Sequence, residues 1–314
     1  MHALITAVRE YYGVGSQADL TLLRDLVNEV YLINDGMQRR VLKVYRQHWR
    51  AAEEVGWEAD LLCHLHERGA PVIPPLPALD GRLIVEFTLA GNARLAMLFE
   101  YVDGIPPSPP VPVPVYHELG NALGRTHNAV VGFRSPHRRQ PVDLAALVDR
   151  PVQLLARHLP QSRAAAEVAL AAAFLRRELT RLASEMTWLV CHNDVTMDNC
   201  LLVQGRVVLL DFDSGGPGWL ATDLASVYAH GAERAPEAWR AFRLGYEDAR
   251  PLAAADLAAL PHLALAQRLW AMGLALDTPS CWGAPLLDMT DPEHPDSPLR
   301  RWLEARNRIY GGLT

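Results

Sequence analysis

The chain has 314 residues, of which 50% are hydrophobic and 21% are charged, and its formal net charge is −6. This length and apolar content predict one or two domains with a large hydrophobic core. The mild negative charge, without a Lys/Arg-rich tail, argues against a surface that binds nucleic acid.

The N-terminus and the cysteines indicate a cytoplasmic protein. Residues 1–15 lack the basic flank and apolar segment of a signal peptide, and no uncharged apolar run reaches the length of a membrane span. The cysteines are far apart and form no C-x-x-C motif, which predicts reduced thiols rather than a disulfide framework or a zinc site. They are Cys63, Cys191, Cys200 and Cys281.

The pattern of residues 1–103 predicts a short helix followed by a β-β-α-β-β arrangement. An Asp-Gly pair, Asp35–Gly36, is typical of the hairpin between the first two strands, and Gly69 suits the end of the central helix. The predicted elements are a helix at 2–12, strands at 20–35 and 39–46, a helix at 51–69, and strands at 82–89 and 94–102.

A proline-rich segment at 104–115 then predicts an extended connector, or simply a surface loop. Beyond it the pattern is mainly helical, so we place a domain boundary near residue 103. The predicted helices are at 116–130, 162–186, 221–231, 236–249, 256–276 and 298–310.

A polar loop and a short hairpin bring functional side chains together. Asp194 and Asn199 lie on the loop, and Gly205 divides the following apolar run into two short strands. Because a hairpin brings its ends together, Asn199 and Asp211 converge. Their oxygens suit Mg²⁺, which completes its shell with water and phosphates. Asp194 stands apart and can accept a proton, so the group has the parts that phosphoryl transfer requires.

These segments resemble a known group of enzymes. The stretches HNDVTMDN at 192–199, LLDFDSGGPGW at 209–219 and TDLA at 222–225 resemble the aminoglycoside phosphotransferase, homoserine kinase type II and choline kinase-like superfamily. The resemblance extends over nearly the whole chain. It includes VLKVYR at 41–46, WEADLLCHLHERGAPV at 57–72, LFEYVDGIPP at 98–107 and LGNALGRTHNA at 119–129.

The resemblance implies an α+β, two-lobed protein-kinase-like fold. A small antiparallel-sheet N-lobe with one helix would occupy residues 1–103 and carry the nucleotide-binding sheet and hinge. A larger, mainly helical C-lobe would occupy residues 104–314 and carry the catalytic loop and the substrate site. ATP would bind in the cleft between them.

The resemblance also implies roles for single residues. Lys43 would contact the α- and β-phosphates and pair with Glu58, and the backbone of Glu100 and Val102 would bind the adenine edge. In the catalytic loop, Asp194 would be the base.

The other implied roles concern the metal and the support of the loop. Asn199 and Asp211 would hold Mg²⁺. His192 and Asp223 would be structural and brace the catalytic loop.

Several residues have simpler interpretations. Lys43 and Glu58 could be surface charges, and Asp194, Asn199 and Asp211 could serve only as turn residues. Two further positions stay open. Asp213 is a second metal ligand, a substrate contact or a capping group, and Asp223 is as well explained by helix capping. His127 suits a hydrogen-bonded core histidine better than a metal ligand.

Some positions depart from the superfamily. Asn193 replaces the usual glycine, which fits because Asn tolerates left-handed backbone angles, and residues 196–198 also differ. The segment expected to cover the nucleotide, near residues 24–31, contains no glycine, so the phosphate contacts must come from another turn, around Asn28. No A-P-E segment follows Asp211, which argues against a regulated protein kinase.

The predicted function is ATP- and Mg²⁺-dependent phosphorylation of a hydroxyl group on a small molecule. An aminoglycoside-type antibiotic, a homoserine-like compound or another amino alcohol would be the acceptor. The alternatives are a protein Ser/Thr kinase of the bacterial stress-response type, a non-catalytic nucleotide-binding module and a metal-dependent hydrolase.

Overall fold

The structure is a computed structural model that describes residues 2–89, 91–159, 162–279, 290–291, 294 and 296–311. Ala90, in the second predicted hairpin, and Cys281 lie outside the described residues. No helix of the described ranges combines the length and the apolar content needed to cross a membrane.

The described elements are ten strands and nine α-helices. The strands are β1 Asp19–Asp25, β2 Glu29–Asn34, β3 Arg39–Val44, β4 Pro75–Leu76, β5 Val85–Leu89, β6 Asn92–Glu100, β7 Trp188–Cys191, β8 Cys200–Val203, β9 Arg206–Leu209 and β10 Gly216–Trp219. The helices are α1 His2–Tyr12, α2 Ala52–Glu67, α3 Val113–Ala129, α4 Arg150–His158, α5 Arg163–Leu182, α6 Ala221–Arg234, α7 Pro236–Ala249, α8 Ala254–Asp277 and α9 Pro298–Tyr310.

The chain divides into two compact units. The first comprises Met1–Ser108, Asn128–Arg139 and Asp198–Asp213. The second comprises Pro109–His127, Gln140–Met197 and Ser214–Thr314. The boundary that we placed at residue 103, with its N-lobe and C-lobe, stays a prediction.

The first unit is built on a six-stranded sheet with the order β1-β2-β3-β6-β4, in which β5 also pairs with β6. All of its strand pairs are antiparallel. The single strand predicted at residues 20–35 is wrong, because β1 and β2 are separate strands joined by a turn. The amide of Leu26 donates to the carbonyl of Asn28 at 3.4 Å in this turn, which has neither glycine nor proline to signal it.

The alternation of side chains along β3 decides what each face of the sheet carries. Leu42 and Val44 belong to a buried apolar cluster with Leu4 and Val8 of α1. Lys43 pairs across the sheet with Met97, a residue of a second buried cluster that includes residues of α2. Since successive side chains point to opposite faces, Lys43 faces α2.

The predicted hairpin after the polar loop is confirmed. Strands β8 and β9 pair antiparallel, with Cys200 opposite Leu209. Gly205 has a φ of +79° at the turn, a value that glycine adopts at little cost. The amide of Leu210 donates to the carbonyl of Asn199 at 2.8 Å, so the two ends of the hairpin lie side by side.

The second unit is mainly helical, with β7 and β10 forming a two-stranded antiparallel sheet. The backbones of α3 and α7 approach so closely that a Cβ at Gly120 would lie 1.9 Å from the carbonyl oxygen of Phe242. The sequence pattern missed α4 and the π-helical turn before it, Ala145–Asp149. The predicted α+β class, with an antiparallel sheet followed by a mainly helical region, is confirmed.

Candidate functional site

A buried lysine lies between two carboxylates in the first unit. The Lys43 ammonium donates to Oε1 of Glu58 at 3.0 Å and to Oδ1 of Asp211 at 2.7 Å. The side chains of Lys43 and Glu58 are 8% and 1% exposed, whereas that of Asp211 is 38% exposed. The surface-charge interpretation of Lys43 and Glu58 is therefore wrong, and Asp211 is the member of the trio that reaches solvent.

The surroundings shift the pKa values of Lys43 and Glu58. Burial alone would lower the pKa of Lys43, but the carboxylates of Asp211 and Glu58 outweigh it and raise that pKa well above its usual range. Burial raises the pKa of Glu58 despite the attraction of Lys43. The hydroxyl of Tyr45 donates to the second oxygen of Glu58 at 2.9 Å, so both oxygens of this buried carboxylate are hydrogen-bonded.

Asn199 and Asp211 lie at the two ends of the β8–β9 hairpin. Asn199 is buried, and its side-chain oxygen lies 3.5 Å from a guanidinium nitrogen of Arg24. Asp211 has a φ of +60°, a left-handed conformation that Asp and Asn adopt more readily than most residues. An amide oxygen and a partly exposed carboxylate are ligands that Mg²⁺ accepts while it keeps sites for water and phosphate. The types of oxygen therefore fit the cation that the sequence implies, and a cation at the side-chain oxygen of Asn199 would displace the long contact from Arg24.

The carboxylate of Asp213 is buried and already bonded to other side chains. Its residue is 5% exposed, and its oxygens accept hydrogen bonds from Asn28, Trp49 and Arg50. Burial would raise its pKa, but the positive charges of Lys43, Arg50 and Arg139 hold that pKa well below its usual range. Asp213 is therefore an ionised carboxylate inside a set of protein donors.

The two positions expected to bind an adenine edge lie at the end of β6. Glu100 pairs with Arg40 of β3, and the amide of the next residue, Tyr101, donates to the carbonyl of Arg39 at 3.3 Å. The guanidinium of Arg39 also lies 4.0 Å from the Tyr101 ring centroid. Val102 follows in an irregular segment, so the strand ends between Glu100 and Val102.

The second unit contains the predicted base and its loop. Asp194 is exposed, while Asn193 before it and Val195 after it are buried. Asn193 has a φ of +63°, as the replacement of a glycine requires, and its side-chain amide donates to the carbonyl of Ser214 at 3.2 Å. The buried neighbours fix the backbone on both sides of an exposed carboxylate.

Helix α6 holds this loop from one side. The carboxylate of Asp223 accepts the backbone amides of His192 at 2.7 Å and Asn193 at 2.5 Å. One turn later, the hydroxyl of Ser226 donates to the carbonyl of Val195 at 2.8 Å. Asp223 thus bonds the loop that carries Asp194, in agreement with the bracing role rather than with helix capping alone.

His127 is a supporting residue whose partners the sequence did not reveal. Its Nε2 lies 3.0 Å from Asp223, and its Nδ1 lies 2.8 Å from the hydroxyl of Tyr246. The interpretation as a hydrogen-bonded core histidine is confirmed. Its position on the apolar face of a helix was the available signal, but the partners are 96 and 119 positions away.

One buried group of side chains has possible metal-ligand atoms within 4.8 Å of one another. It consists of His127, Cys191 and Asp223. Both ring nitrogens of His127 and both oxygens of Asp223 already have protein partners. Burial, together with Asp223, raises the pKa of the Cys191 thiol well above its usual range, and metals bind the thiolate. The cluster therefore acts as a hydrogen-bond network that supports the loop.

Comparison with known proteins identifies relatives of the whole arrangement. The model of the phosphotransferase enzyme family matches residues 20–260. A protein of Deinococcus radiodurans, named only as uncharacterized, is 38% identical over 281 residues, which cover 87% of this chain and 81% of the relative. The homoserine kinase of Sinorhizobium medicae is 28% identical over 263 residues, which cover 81% of this chain and 77% of that enzyme.

A solved structure has the same fold. It is that of an amicoumacin kinase in complex with AMP-PNP, Ca²⁺ and Ami. The match has a TM-score of 0.80 at 21% identity and covers 98% of this chain and 93% of that one. The predicted protein-kinase-like fold is thereby confirmed.

Proposed function

Because the chain belongs to the phosphotransferase enzyme family and is a kinase of small molecules, we propose that it transfers the terminal phosphoryl group of ATP, bound with Mg²⁺, to a hydroxyl group of its acceptor. The observation that carries the proposal is the buried Lys43 ammonium held between Glu58 and Asp211. A structural ion pair does not require a third, solvent-reaching partner such as Asp211.

Lys43 is the residue that binds the nucleotide phosphates. An ammonium group has three N–H donors, of which Glu58 and Asp211 take two. The third donates to a phosphate oxygen. Because Glu58 is fixed by Tyr45 as well as by Lys43, the ammonium is held in place before the nucleotide binds. Such preorganisation is the main way in which a protein accelerates phosphoryl transfer.

Asn199 and Asp211 would hold Mg²⁺, and the backbone of Glu100 and Val102 would bind the adenine edge. When bound, the cation neutralises charge on the phosphates. The carboxylate of Asp211 would serve both Lys43 and the metal through different oxygens, since only Oδ1 is bonded to Lys43. This sharing links the position of the metal to that of the phosphate-binding ammonium.

Asp194 is the base in this proposal. Its exposed carboxylate accepts the proton of the acceptor hydroxyl as the oxygen attacks the γ-phosphorus, and the bond from phosphorus to the bridging oxygen breaks to leave ADP. His192 and Asp223 brace the loop so that the carboxylate keeps one orientation. A fixed orientation matters because misplacing a reacting group by a fraction of an ångström lowers the rate.

We propose a small hydroxyl compound of the homoserine, amino alcohol or aminoglycoside type as the acceptor. One named relative is a homoserine kinase, and the matching fold belongs to an amicoumacin kinase. The complete set of Lys43, Glu58, Asp194, Asn199 and Asp211 argues against a non-catalytic nucleotide-binding module. A cytoplasmic location stays a prediction.

The test is mass spectrometry of the purified chain incubated with Mg²⁺-ATP and pooled acceptors. The pool contains homoserine, amino alcohols, aminoglycosides, sugars and a generic protein. Phosphate on one of the small molecules supports the proposal and identifies the acceptor. Phosphate on Ser or Thr of protein alone would replace it with the protein kinase alternative, and hydrolysis of a compound in the pool without any nucleotide would replace it with a hydrolase.

A further inference from the structure

Asp213 is surrounded by donors from two parts of the first unit. Its Oδ2 accepts from Nδ2 of Asn28 at 2.7 Å and from Nε1 of Trp49 at 2.5 Å. Its Oδ1 accepts from Nε of Arg50 at 2.9 Å. Two of these donors also contact each other, because the guanidinium carbon of Arg50 lies 4.4 Å from the centroid of the Trp49 ring. A cation at this carboxylate would have to displace these donors.

Two of the donors belong to the segment that leads into α2. Trp49 and Arg50 lie just before Ala51, the N-cap of this helix, which begins at Ala52 and carries Glu58. The guanidinium of Arg139 also donates to the backbone carbonyl of Asp213. Asp213 thus fixes the start of the helix that presents Glu58 to Lys43.

The third donor belongs to the turn between β1 and β2. The side-chain oxygen of Asn28 accepts the backbone amide of Arg46 at 3.2 Å. The Arg46 side chain donates to the carbonyls of Val27 at 3.1 Å and Leu26 at 2.8 Å, and to Oδ1 of Asp25 at 2.6 Å. This turn has no glycine, yet nearly every residue in it is fixed by a side-chain contact.

We propose that Asp213 is a positioning residue that clamps the β1–β2 turn to the start of α2, and that it is not a metal ligand. The inference rests on the proposed function, because it assigns the cation to Asn199 and Asp211 alone. The turn is preformed for the phosphates by Asn28 and Arg46, in place of the flexible backbone that glycines would supply.

The first test needs no nucleotide and no activity. Hydrogen exchange of the backbone amides of residues 25–29 is measured in the wild type, Asp213→Asn and Asn28→Ala. Both variants should exchange faster in this turn, while the control Asp80→Asn, which removes an exposed carboxylate bonded to Arg82, should not. Unchanged exchange in Asn28→Ala would overturn the clamp, even if Asp213→Asn failed to fold.

The second test measures the metal directly. Binding of Mn²⁺ to the protein saturated with AMP-PNP is followed by electron paramagnetic resonance. We expect the wild type, Asn28→Ala and Asp213→Asn to bind the same number of Mn²⁺ ions per chain. The Kd for the nucleotide should rise roughly tenfold in both variants, as is usual when a group that supports a site is removed.

The outcomes separate the inference from the proposed function. Loss of bound Mn²⁺ in Asp213→Asn, with its turn still protected from exchange, would show that Asp213 is a ligand and overturn the inference. If the wild type bound neither Mn²⁺ nor AMP-PNP, the proposed function would fail, and the exchange measurement would still decide whether Asp213 clamps the turn.

Discussion

Lys43 and Asp211 are joined by a hydrogen bond of 2.7 Å although 168 positions separate them in the chain. The bond joins the central strand β3 to the end of the β8–β9 hairpin within one compact unit. Its consequence is that the Lys43 ammonium, which we propose binds the phosphates, and one proposed metal ligand cannot move independently. The same ammonium also holds Glu58, so α2 is linked to this position as well.

Replacing Lys43 should lower the stability of the chain for a reason that can be separated from its effect on activity. Lys43→Met leaves the Glu58 carboxylate, which is 1% exposed, buried without its cation. We expect a loss of about 3 to 5 kcal/mol in the free energy of unfolding. The 38% exposed Asp211 should contribute little, because solvent screens it.

The double variant Lys43→Met/Glu58→Gln should recover most of this stability without recovering phosphoryl transfer. Urea unfolding and steady-state kinetics measure the two quantities. A normal kcat/KM in the double variant would show that Lys43 does not bind the nucleotide. If the double variant regained no stability, the lost free energy of unfolding would not be due to the buried Glu58 carboxylate.

Removing Asp223, which holds the loop of the proposed base Asp194, should lower the rate more than the affinity for nucleotide. Asp223→Ala leaves the buried amides of His192 and Asn193 without an acceptor. The free energy of unfolding should fall by about 3 kcal/mol or more, because each buried donor left unpaired costs about 1 to 3 kcal/mol. The matched variant Asn193→Gly keeps the left-handed backbone and should change stability by about 1 kcal/mol or less. Equal losses of kcat in the two variants would contradict the bracing role of Asp223.

The pairing of α8 with α9 should make stability depend on pH. His262 of α8 bonds the hydroxyl of Tyr310 of α9 at 2.7 Å, and burial lowers its pKa below the usual 6.5. The folded chain therefore holds fewer protons than the unfolded chain as the pH falls below 6.5. The contribution of the neutral His262 ring to the free energy of unfolding is present above pH 6.5. It is lost as the pH falls through the pKa that His262 has in the folded chain.

The size of the loss depends on how far burial lowers the pKa of His262, and solvent that reaches the partly exposed ring reduces it. Urea unfolding between about pH 5 and pH 8 measures it, and His262→Gln should remove this part of the slope. An identical slope in the variant would mean that another group titrates.

The sequence predicted the parts of the site that depend on local pattern or on the resemblance. The β8–β9 hairpin followed from Gly205 between two apolar runs, and its closure then brought Asn199 next to the strand that ends before Asp211. The long helices followed from their apolar spacing. In these places a short stretch of chain contains enough information to fix its own conformation.

The parts that could not be predicted depend on side chains far apart in the chain. The partners of Asp213 are 163 to 185 positions away, and no local signal joins Asn28, Trp49 and Arg50. The turn at Leu26–Asn28 was missed for the same reason, since long-range contacts of Asn28 and Arg46 stabilise it instead of glycine. His127 could be recognised as a core residue, but its link to Asp223 requires the fold.

The central claim concerns Asp194, and label transfer from γ-labelled ATP tests it most directly. Wild type, Asp194→Asn and the control Asp198→Asn are given Mg²⁺-ATP and the acceptor, and nucleotide affinity is measured alongside. Asp198 is exposed on the same loop, so its variant makes the same change of charge.

We expect wild type and Asp198→Asn to label the small molecule. Asp194→Asn should bind nucleotide normally but label the acceptor about 10² to 10⁴ times more slowly, the usual contribution of a general base. Labelling by Asp194→Asn at the rate of the wild type would contradict the account.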